Sequence, residues 1–181
     1  MKIIKNNLNL KLNIRTQKNY PIENVEFVDI TPLVLKGDIY NEIIFKLCNE
    51  IKDKNVDYIV SPDARGFLFG SVVANKLKIG VIPVRKKGKL PPDFVEKSFD
   101  STKEYGTDIL EIPKLVDDNY KNKRVYIIDD IYATGNTVKS IKKAMEELNA
   151  NVIGIGVVIN ILDVNNDKGI FSLIDVKENE E

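Results

Sequence analysis

The chain contains no histidine and only one cysteine, and each shortage excludes a class of chemistry. Without histidine, neither a Ser-His-Asp triad nor a Cys-His pair can form, and the common zinc sites are excluded as well. Cys48 has no partner for an internal disulfide, and it lies in the apolar pattern IYNEIIFKLCNEI, which favours a buried structural thiol over a nucleophile. Any metal is therefore expected to be a hard ion held by oxygen atoms.

The chain also lacks an excess of either charge and lacks any long apolar run. Lysine plus arginine and aspartate plus glutamate are 27 each, so no global field favours a nucleic acid or a membrane surface. The stretch MKIIKNNLNL lacks the apolar core of a signal peptide, and no later run approaches the length of a transmembrane helix. We expect a soluble, cytoplasmic protein that binds neither nucleic acid nor membrane, in which any anion site is local.

Length and periodicity predict one α/β domain over residues 1–181. A hydrophobic content of 43% in 181 residues is enough for one sizeable core. A strand over 56–60, a loop SPDARG, a helix over 67–78 and a strand over 80–86 follow the order that builds a parallel sheet. The remaining predictions are an extended arm over 8–14, helices over 38–52 and 136–150, an edge strand over 107–112, a central strand over 124–130 and a strand over 151–162.

The segment between the predicted strands 80–86 and 107–112 is charged and is interrupted by Pro91 and Pro92. It shows little periodicity, and connections of this length inside a compact domain are usually lids, binding loops or disordered segments. We therefore predict a flexible lid loop over about 87–106. The acidic end of the chain, 177–181, is predicted to be solvated.

The stretch YIIDDIYATGNTVKS places two adjacent acids at the end of an apolar run and follows them with a Thr-Gly loop. Ligands of open parallel sheets bind beyond the carboxyl ends of the strands. The loop offers backbone N–H groups, hydroxyls and a helix N-terminus to a phosphate, whereas Asp129 and Asp130 suit ribose hydroxyls or hydrated Mg²⁺. The alternative is that the acids only end a strand and cap a turn.

The string VYIIDDIYATGNT resembles the phosphoribosyl-pyrophosphate signature of the type I phosphoribosyltransferases. Four further segments, in the same order and at similar spacing, look like those of the adenine enzymes of that family. These segments are VEFVDITPLV (25–34), DARGFLFG (63–70), PVRKKGKLP (83–91) and EYGTDILEI (104–112). Together the matches cover most of the chain from Tyr20 to Val176.

The resemblance implies a fold and a reaction. The fold is a mainly parallel central sheet flanked by helices, with a small N-terminal hood over about 1–36 and a flexible lid loop. The reaction is transfer of the 5-phosphoribosyl group from phosphoribosyl pyrophosphate to N9 of adenine, which gives AMP and pyrophosphate with the help of Mg²⁺. A homodimer is also implied.

The family motifs assign roles to particular residues. By that match Asp129 and Asp130 bind the ribose and, directly or through water, Mg²⁺, and Glu104 is the candidate general acid/base beside Tyr105. The phosphate is assigned to Ala133, Thr134, Gly135, Asn136 and Thr137. Pyrophosphate is assigned to Arg65, Arg85, Lys86 and Lys89, and the base to Phe27 with the backbone of Glu26 and Val28. Read without the family, the basic cluster would be a solvated face and Phe27 an ordinary core aromatic.

The sequence departs from the family pattern at three positions. Asn136 stands where adenine enzymes usually have a second glycine, and activity should survive if that position needs no positive φ. Val28 replaces a frequent arginine, and Phe99 replaces a frequent tyrosine.

Two rival functions remain open on sequence alone. One is a phosphoribosyltransferase for hypoxanthine, guanine or xanthine, although a 6-oxopurine reverses the donor and acceptor demand at the base edge. The other is a non-catalytic regulator that binds phosphoribosyl pyrophosphate, although such proteins usually carry a DNA-binding domain or a basic face.

Overall fold

The computed structural model describes residues 2–6, 14–23, 25–103, 106–116, 118–162 and 167–177. The strands are β1 (Lys2–Asn6), β2 (Arg15–Lys18), β3 (Glu26–Asp29), β4 (Tyr58–Pro62), β5 (Gly80–Lys86), β6 (Val95–Lys103), β7 (Gly106–Pro113), β8 (Arg124–Tyr132), β9 (Asn151–Ile161) and β10 (Ile170–Lys177). The helices are α1 (Thr31–Leu35), α2 (Gly37–Ile51), α3 (Arg65–Leu77) and α4 (Asn136–Glu147), with a short 3₁₀ helix at Pro92–Phe94.

One large, mainly parallel sheet organises the described part of the chain. Its strand order is β1-β10-β9-β8-β4-β5-β7-β6. The strands from β10 to β5 pair in parallel, whereas β1, β7 and β6 pair antiparallel to their neighbours. This arrangement confirms the predicted α/β class and brings the carboxyl ends of β4, β5 and β8 to one edge.

Apolar side chains cover both faces of the sheet. The buried residues of α2 include Ile43, Ile44, Leu47 and Ile51, whose helical spacing predicted this helix, and they pack on one face with α3. On the other face α4 buries Val138, Ile141, Ala144 and Met145. Because both faces of β8 are covered, six consecutive residues from Val125 to Asp130 are buried, which is typical of a central parallel strand.

A separate two-stranded sheet stands at the N-terminal side. Strands β2 and β3 pair antiparallel, with Thr16 opposite Val28. The edge of the Tyr20 ring meets Phe27, with 5.3 Å between the ring centroids. Val28 and Ile30 join the core beneath α2, so this small sheet is anchored to the domain. The predicted arm over 8–14 lies, apart from Ile14, outside the described residues.

The segment predicted to be a flexible lid loop, over about 87–106, differs most from the prediction. Residues 95–103 form β6, which pairs with β7 along its length and makes a hairpin over α4. The strand predicted over 107–112 is present as β7, but its predicted edge position was wrong, because β6 takes the edge and β7 lies inside it. Strand β10 was not predicted. In the described residues, no helix has both the length and the apolar character needed to cross a membrane.

Candidate active site

Two adjacent carboxylates lie near the carboxyl end of the central strand β8. Asp129 and Asp130 are 8% and 4% exposed, and the backbone N–H of Asp130 donates a 2.8 Å hydrogen bond to Oδ1 of Asp129. Burial, followed by the negative charge of Asp130, raises the pKa of Asp129 well above its usual value. Neighbouring charges in such a position are costly, so this pair is a strong candidate for a functional site.

Arg65, at the start of α3, lies against this acid pair. Its Nε is 2.8 Å from Oδ2 of Asp130, which makes an ion pair. The alignment does not meet hydrogen-bond geometry, so the buried Oδ2 receives no hydrogen bond from the residues that the structure describes. An acidic oxygen in that condition is suited to a ligand hydroxyl or a cation.

The loop after β8 bends sharply into α4. Gly135 has φ = +77°, and a Cβ at this position would overlap the Tyr132 ring, so only glycine fits without strain. Helix α4 begins at Asn136, whose N–H donates a 3.4 Å hydrogen bond to Oγ1 of Thr134, and the next N–H groups of the first turn have no intrahelical partners. Such a helix start is an anion-binding arrangement.

A cavity of about 260 Å³ opens in front of this loop. It is lined by Arg65, Thr102, Asp129, Ile131, Ala133, Thr134, Gly135, Asn136, Thr137 and Val138. All five predicted phosphate-loop residues are therefore brought together. Sequence reasoning missed Thr102, because it treated this segment as irregular and gave no direction to its side chains.

A second cavity, of about 470 Å³, lies at the acid pair and contains the basic residues. Its lining consists of Pro62, Asp63, Ala64, Arg65, Lys86, Lys89, Leu110, Asp129, Asp130, Ile131 and Thr137. Because Arg65, Asp129, Ile131 and Thr137 line both cavities, the two spaces adjoin at the acids. The arrangement suits an elongated ligand with an anionic group at each end.

Arg85 behaves differently from the other predicted cations. Its Nε lies 3.0 Å from Oδ2 of Asp63, and its guanidinium stands 5.8 Å from the centroid of the Phe67 ring. It is not among the residues that line either of the two cavities. Lys86 faces the larger cavity and also lies 3.4 Å from Asp108. Arg85 therefore supports the loop that carries Asp63.

The small N-terminal sheet reaches the site through Arg65. The guanidinium stands 5.8 Å from the centroid of the Phe27 ring, and its Nη1 donates a 3.5 Å hydrogen bond to the carbonyl of Val28. One side chain thus connects the predicted base-binding segment to Asp130. The predicted residues Glu104 and Tyr105 lie outside the described residues.

Comparison with known proteins agrees with this arrangement. Residues 34–176 match the family model described as the phosphoribosyl transferase domain. The chain belongs to the phosphoribosyltransferase family. This membership confirms the family and the fold predicted from the Asp-Asp and Thr-Gly string.

Relatives that align along most of the chain narrow the family to its adenine enzymes. The adenine phosphoribosyltransferase of Clostridium botulinum is 45% identical over 157 residues, which cover 87% of this chain and 89% of the relative. The solved structure of the adenine phosphoribosyltransferase of Thermoanaerobacter pseudethanolicus aligns with a TM-score of 0.83 at 36% identity, covering 92% of this chain and 98% of the other. The Saccharomyces cerevisiae enzyme, solved with adenine and an imino-altritol bisphosphate, aligns with a TM-score of 0.77 at 33% identity over 91% of this chain and 96% of the other.

Proposed function

We propose that this phosphoribosyltransferase transfers the 5-phosphoribosyl group of phosphoribosyl pyrophosphate to N9 of adenine, producing AMP and releasing pyrophosphate. The observation that carries the proposal is the buried acid pair, which lies where a phosphate-binding loop and a basic cavity adjoin. Phosphoribosyl pyrophosphate carries a phosphate at C5 and a pyrophosphate at C1 of its ribose. This order of groups matches the order of the loop, the acid pair and the basic cavity. The adenine specificity rests on the similarity to the adenine enzymes.

The phosphate loop, 133–137, is proposed to hold the 5-phosphate. The positive φ of Gly135 and the uncapped start of α4 present backbone N–H groups and the helix dipole to the anion. The hydroxyls of Thr134 and Thr137 add donors from the same lining. This mode of binding needs no net positive charge on the protein, which suits a chain whose formal charge is zero.

The acid pair is proposed to bind the ribose hydroxyls and to favour positive charge on the sugar. The buried Oδ2 of Asp130, which receives no hydrogen bond from the described residues, is an acceptor that a ribose hydroxyl would satisfy. As the bond to pyrophosphate breaks, the ribose gains oxocarbenium character. Negative charge beside the ring stabilises that state more than the ground state.

Pyrophosphate is proposed to occupy the larger cavity beside Arg65, Lys86 and Lys89. Charge accumulates on pyrophosphate as it leaves, so cations held here act mainly on the transition state. Arg85 was assigned to the same role from the sequence. Its contact with Asp63 supports a positioning role for it instead, because Asp63 lines the cavity.

The donor set fits Mg²⁺, which prefers oxygen ligands and usually retains water. In the described residues no cluster of three His, Cys, Asp or Glu side chains could hold a metal by itself. Asp129 and Asp130 would therefore hold the ion together with substrate oxygens and water. When bound, Mg²⁺ neutralises charge on the pyrophosphate.

The base is proposed to stack on Phe27 and to be read by the backbone of Glu26 and Val28. The Tyr20 ring packs nearly perpendicular to the Phe27 ring. Arg65 links Val28 to the acid pair. Glu104 and Tyr105 remain proposed contributors to proton transfer and to closure over the base. Cytoplasmic location and homodimer formation are proposed as well, the former from the single cysteine and the latter from the family.

The direct test is a coupled assay of pyrophosphate release with phosphoribosyl pyrophosphate, Mg²⁺ and one purine base at a time. Turnover with adenine and not with hypoxanthine, guanine or xanthine is the expected result. Turnover only with a 6-oxopurine would replace the proposed substrate. Binding of phosphoribosyl pyrophosphate without turnover of any base would favour a regulator.

A further inference from the structure

A group of three side chains lies behind the phosphate loop, and none of them lines the two cavities of the site. Tyr132 ends β8, Lys139 belongs to the first half of α4, and Asp167 lies just before β10. Oδ2 of Asp167 accepts a 2.9 Å hydrogen bond from the Tyr132 hydroxyl and lies 2.7 Å from the Lys139 Nζ. The Tyr132 hydroxyl and the Lys139 Nζ, which lie on either side of the loop in the sequence, therefore both contact the same carboxylate oxygen of Asp167.

The same side chains contact the loop itself. The Lys139 Nζ donates a 3.1 Å hydrogen bond to the backbone carbonyl of Thr134. The Tyr132 ring lies against Gly135, where it occupies the space that a Cβ would need. The loop is thus held at two successive residues, and both supports depend on Asp167.

The ion pair of this group is poorly suited to stabilise the whole fold. The side chains of Lys139 and Asp167 are 49% and 35% exposed. Exposed ion pairs usually contribute little to the free energy of unfolding. Contacts of this kind can still fix a loop within the narrow range of geometry that tight anion binding requires.

We propose that Tyr132, Asp167 and Lys139 are positioning residues that hold the phosphate loop in its anion-binding conformation and so set the affinity for the 5-phosphate of the sugar. This inference rests on the proposed function of the loop. Lys139 also brings a positive charge to the loop without entering the cavity. Substrates and products that carry a 5-phosphate should depend on the group, whereas pyrophosphate should not.

The test uses the variants Lys139→Met and Asp167→Asn, with Lys142→Met as the matched control. Lys142 is on the same helix and pairs at 3.9 Å with Glu146, away from the loop. Three quantities are measured: the KM for phosphoribosyl pyrophosphate, the Kd for ribose 5-phosphate by calorimetry, and the inhibition constant of pyrophosphate. We expect the first two to rise about tenfold in both variants, since each loses a charge-assisted hydrogen bond, with kcat and pyrophosphate inhibition unchanged.

Two further variants refine the test. Lys139→Arg keeps the charge and the donors and should restore most of the affinity. Tyr132→Phe leaves the ring under Gly135 and removes only the hydroxyl, so its effect should be the smaller one. The double variant of Lys139 and Asp167 should be weakened no more than the worse single variant, because the two act as a unit.

The inference is overturned if ribose 5-phosphate binds both variants as tightly as it binds the Lys142 control. It is also overturned if pyrophosphate inhibition weakens by the same factor, since that would indicate general damage to the site. A wild-type protein without turnover would refute the proposed function separately, because ribose 5-phosphate binding would still decide the inference: weaker binding by the variants supports it, and no binding by the wild type contradicts it.

Discussion

Gly135 is the residue whose backbone most narrowly constrains the phosphate loop. Its φ of +77° and its contact with the Tyr132 ring leave no room for a side chain. We expect Gly135→Ala to cost about 1–3 kcal/mol of stability and to raise the KM for phosphoribosyl pyrophosphate strongly. Steady-state kinetics and thermal unfolding measure the two effects.

The control for this substitution is Gly37→Ala. Gly37 starts α2, and a Cβ there would meet no atom within 4 Å. Kinetics of this variant should match those of the wild type. A Gly135→Ala protein with unchanged KM would show that the loop conformation is unimportant for binding.

Asp129 should lower stability at neutral pH while serving the site. Its pKa is raised by burial and by Asp130, so the folded protein holds a proton that the unfolded chain releases above about pH 4. The contribution of Asp129 to the free energy of unfolding should therefore fall as the pH rises through this range. Asp129→Asn stays neutral, so we expect a higher Tm at pH 7, no advantage at low pH, and loss of turnover.

Calorimetry from pH 4 to pH 7 measures how the Tm difference between the wild type and Asp129→Asn changes with pH. The range starts at about 4, which is the ordinary pKa of an aspartate. The control is Asp53→Asn, which removes an exposed carboxylate outside the site. A lower Tm of Asp129→Asn at pH 7 would mean that the charged carboxylate stabilises the fold.

The positions of single residues in the candidate site were easier to predict from the sequence than the contacts between them. Asp129, Asp130 and Gly135 could be recognised because their signature is local in the sequence. Asn136 starts α4 and is not among the residues with positive φ. A glycine is therefore not required by the backbone at this position. The Arg85–Asp63 and Lys139–Asp167 pairs could not be predicted, since their partners are 22 and 28 positions apart and only the fold brings them together.

At the scale of elements, the strength of the apolar pattern decided what could be predicted. Strand β5 has the bounds expected for it, Gly80–Lys86, and helix α2 starts one residue earlier than expected. Strand β6 reads VEKSFDSTK, in which charges obscure the alternation, and its edge position requires little apolar surface. The sequence pattern of this segment therefore predicts a loop and not a strand.

The hairpin of β6 and β7 yields a prediction about local stability. Its ladder runs from Val95 opposite Pro113 to Lys103 opposite Gly106, and an ion pair of 2.8 Å joins Lys97 to Glu147 on α4. Paired amides of β6 should exchange with solvent at least about tenfold more slowly than the amides of Leu115 and Val116, which follow β7 and donate no hydrogen bond within the described residues. Hydrogen exchange read by mass spectrometry or NMR measures this, with β9 as the protected reference. Exchange in β6 as fast as at Leu115 and Val116 would contradict the pairing of β6 and favour the flexible lid loop predicted from the sequence.

At the scale of the whole molecule, the formal charge is zero, so an anion site has to be local. Arg65, Lys86 and Lys89 line one cavity together with Asp129 and Asp130. On a different surface, Leu35, Phe45 and Leu68 are 75%, 64% and 42% exposed. Phe45 also lines a groove of about 450 Å³, together with Asp38, Asn41, Glu42, Ile44, Cys48 and Lys76. Exposed apolar surface of this kind is typical of an interface.

We expect the proposed homodimer to use this surface of α1, α2 and α3. Phe45→Asp should shift the sedimenting species from dimer to monomer, because a charge would be buried at the interface. Phe94→Asp is a matched control, since Phe94 is 62% exposed in the 3₁₀ helix before β6. A Phe45→Asp protein that remains dimeric would place the interface elsewhere.

The buried acid pair is proposed to serve phosphoribosyl transfer to adenine. Chromatography can detect AMP formed from adenine, phosphoribosyl pyrophosphate and Mg²⁺, by the wild type and by Asp129→Asn/Asp130→Asn. We predict AMP from the wild type and a loss of at least about a hundredfold in the double variant, which should remain folded. Wild-type rates from the double variant, or no AMP from the wild type, would contradict the account.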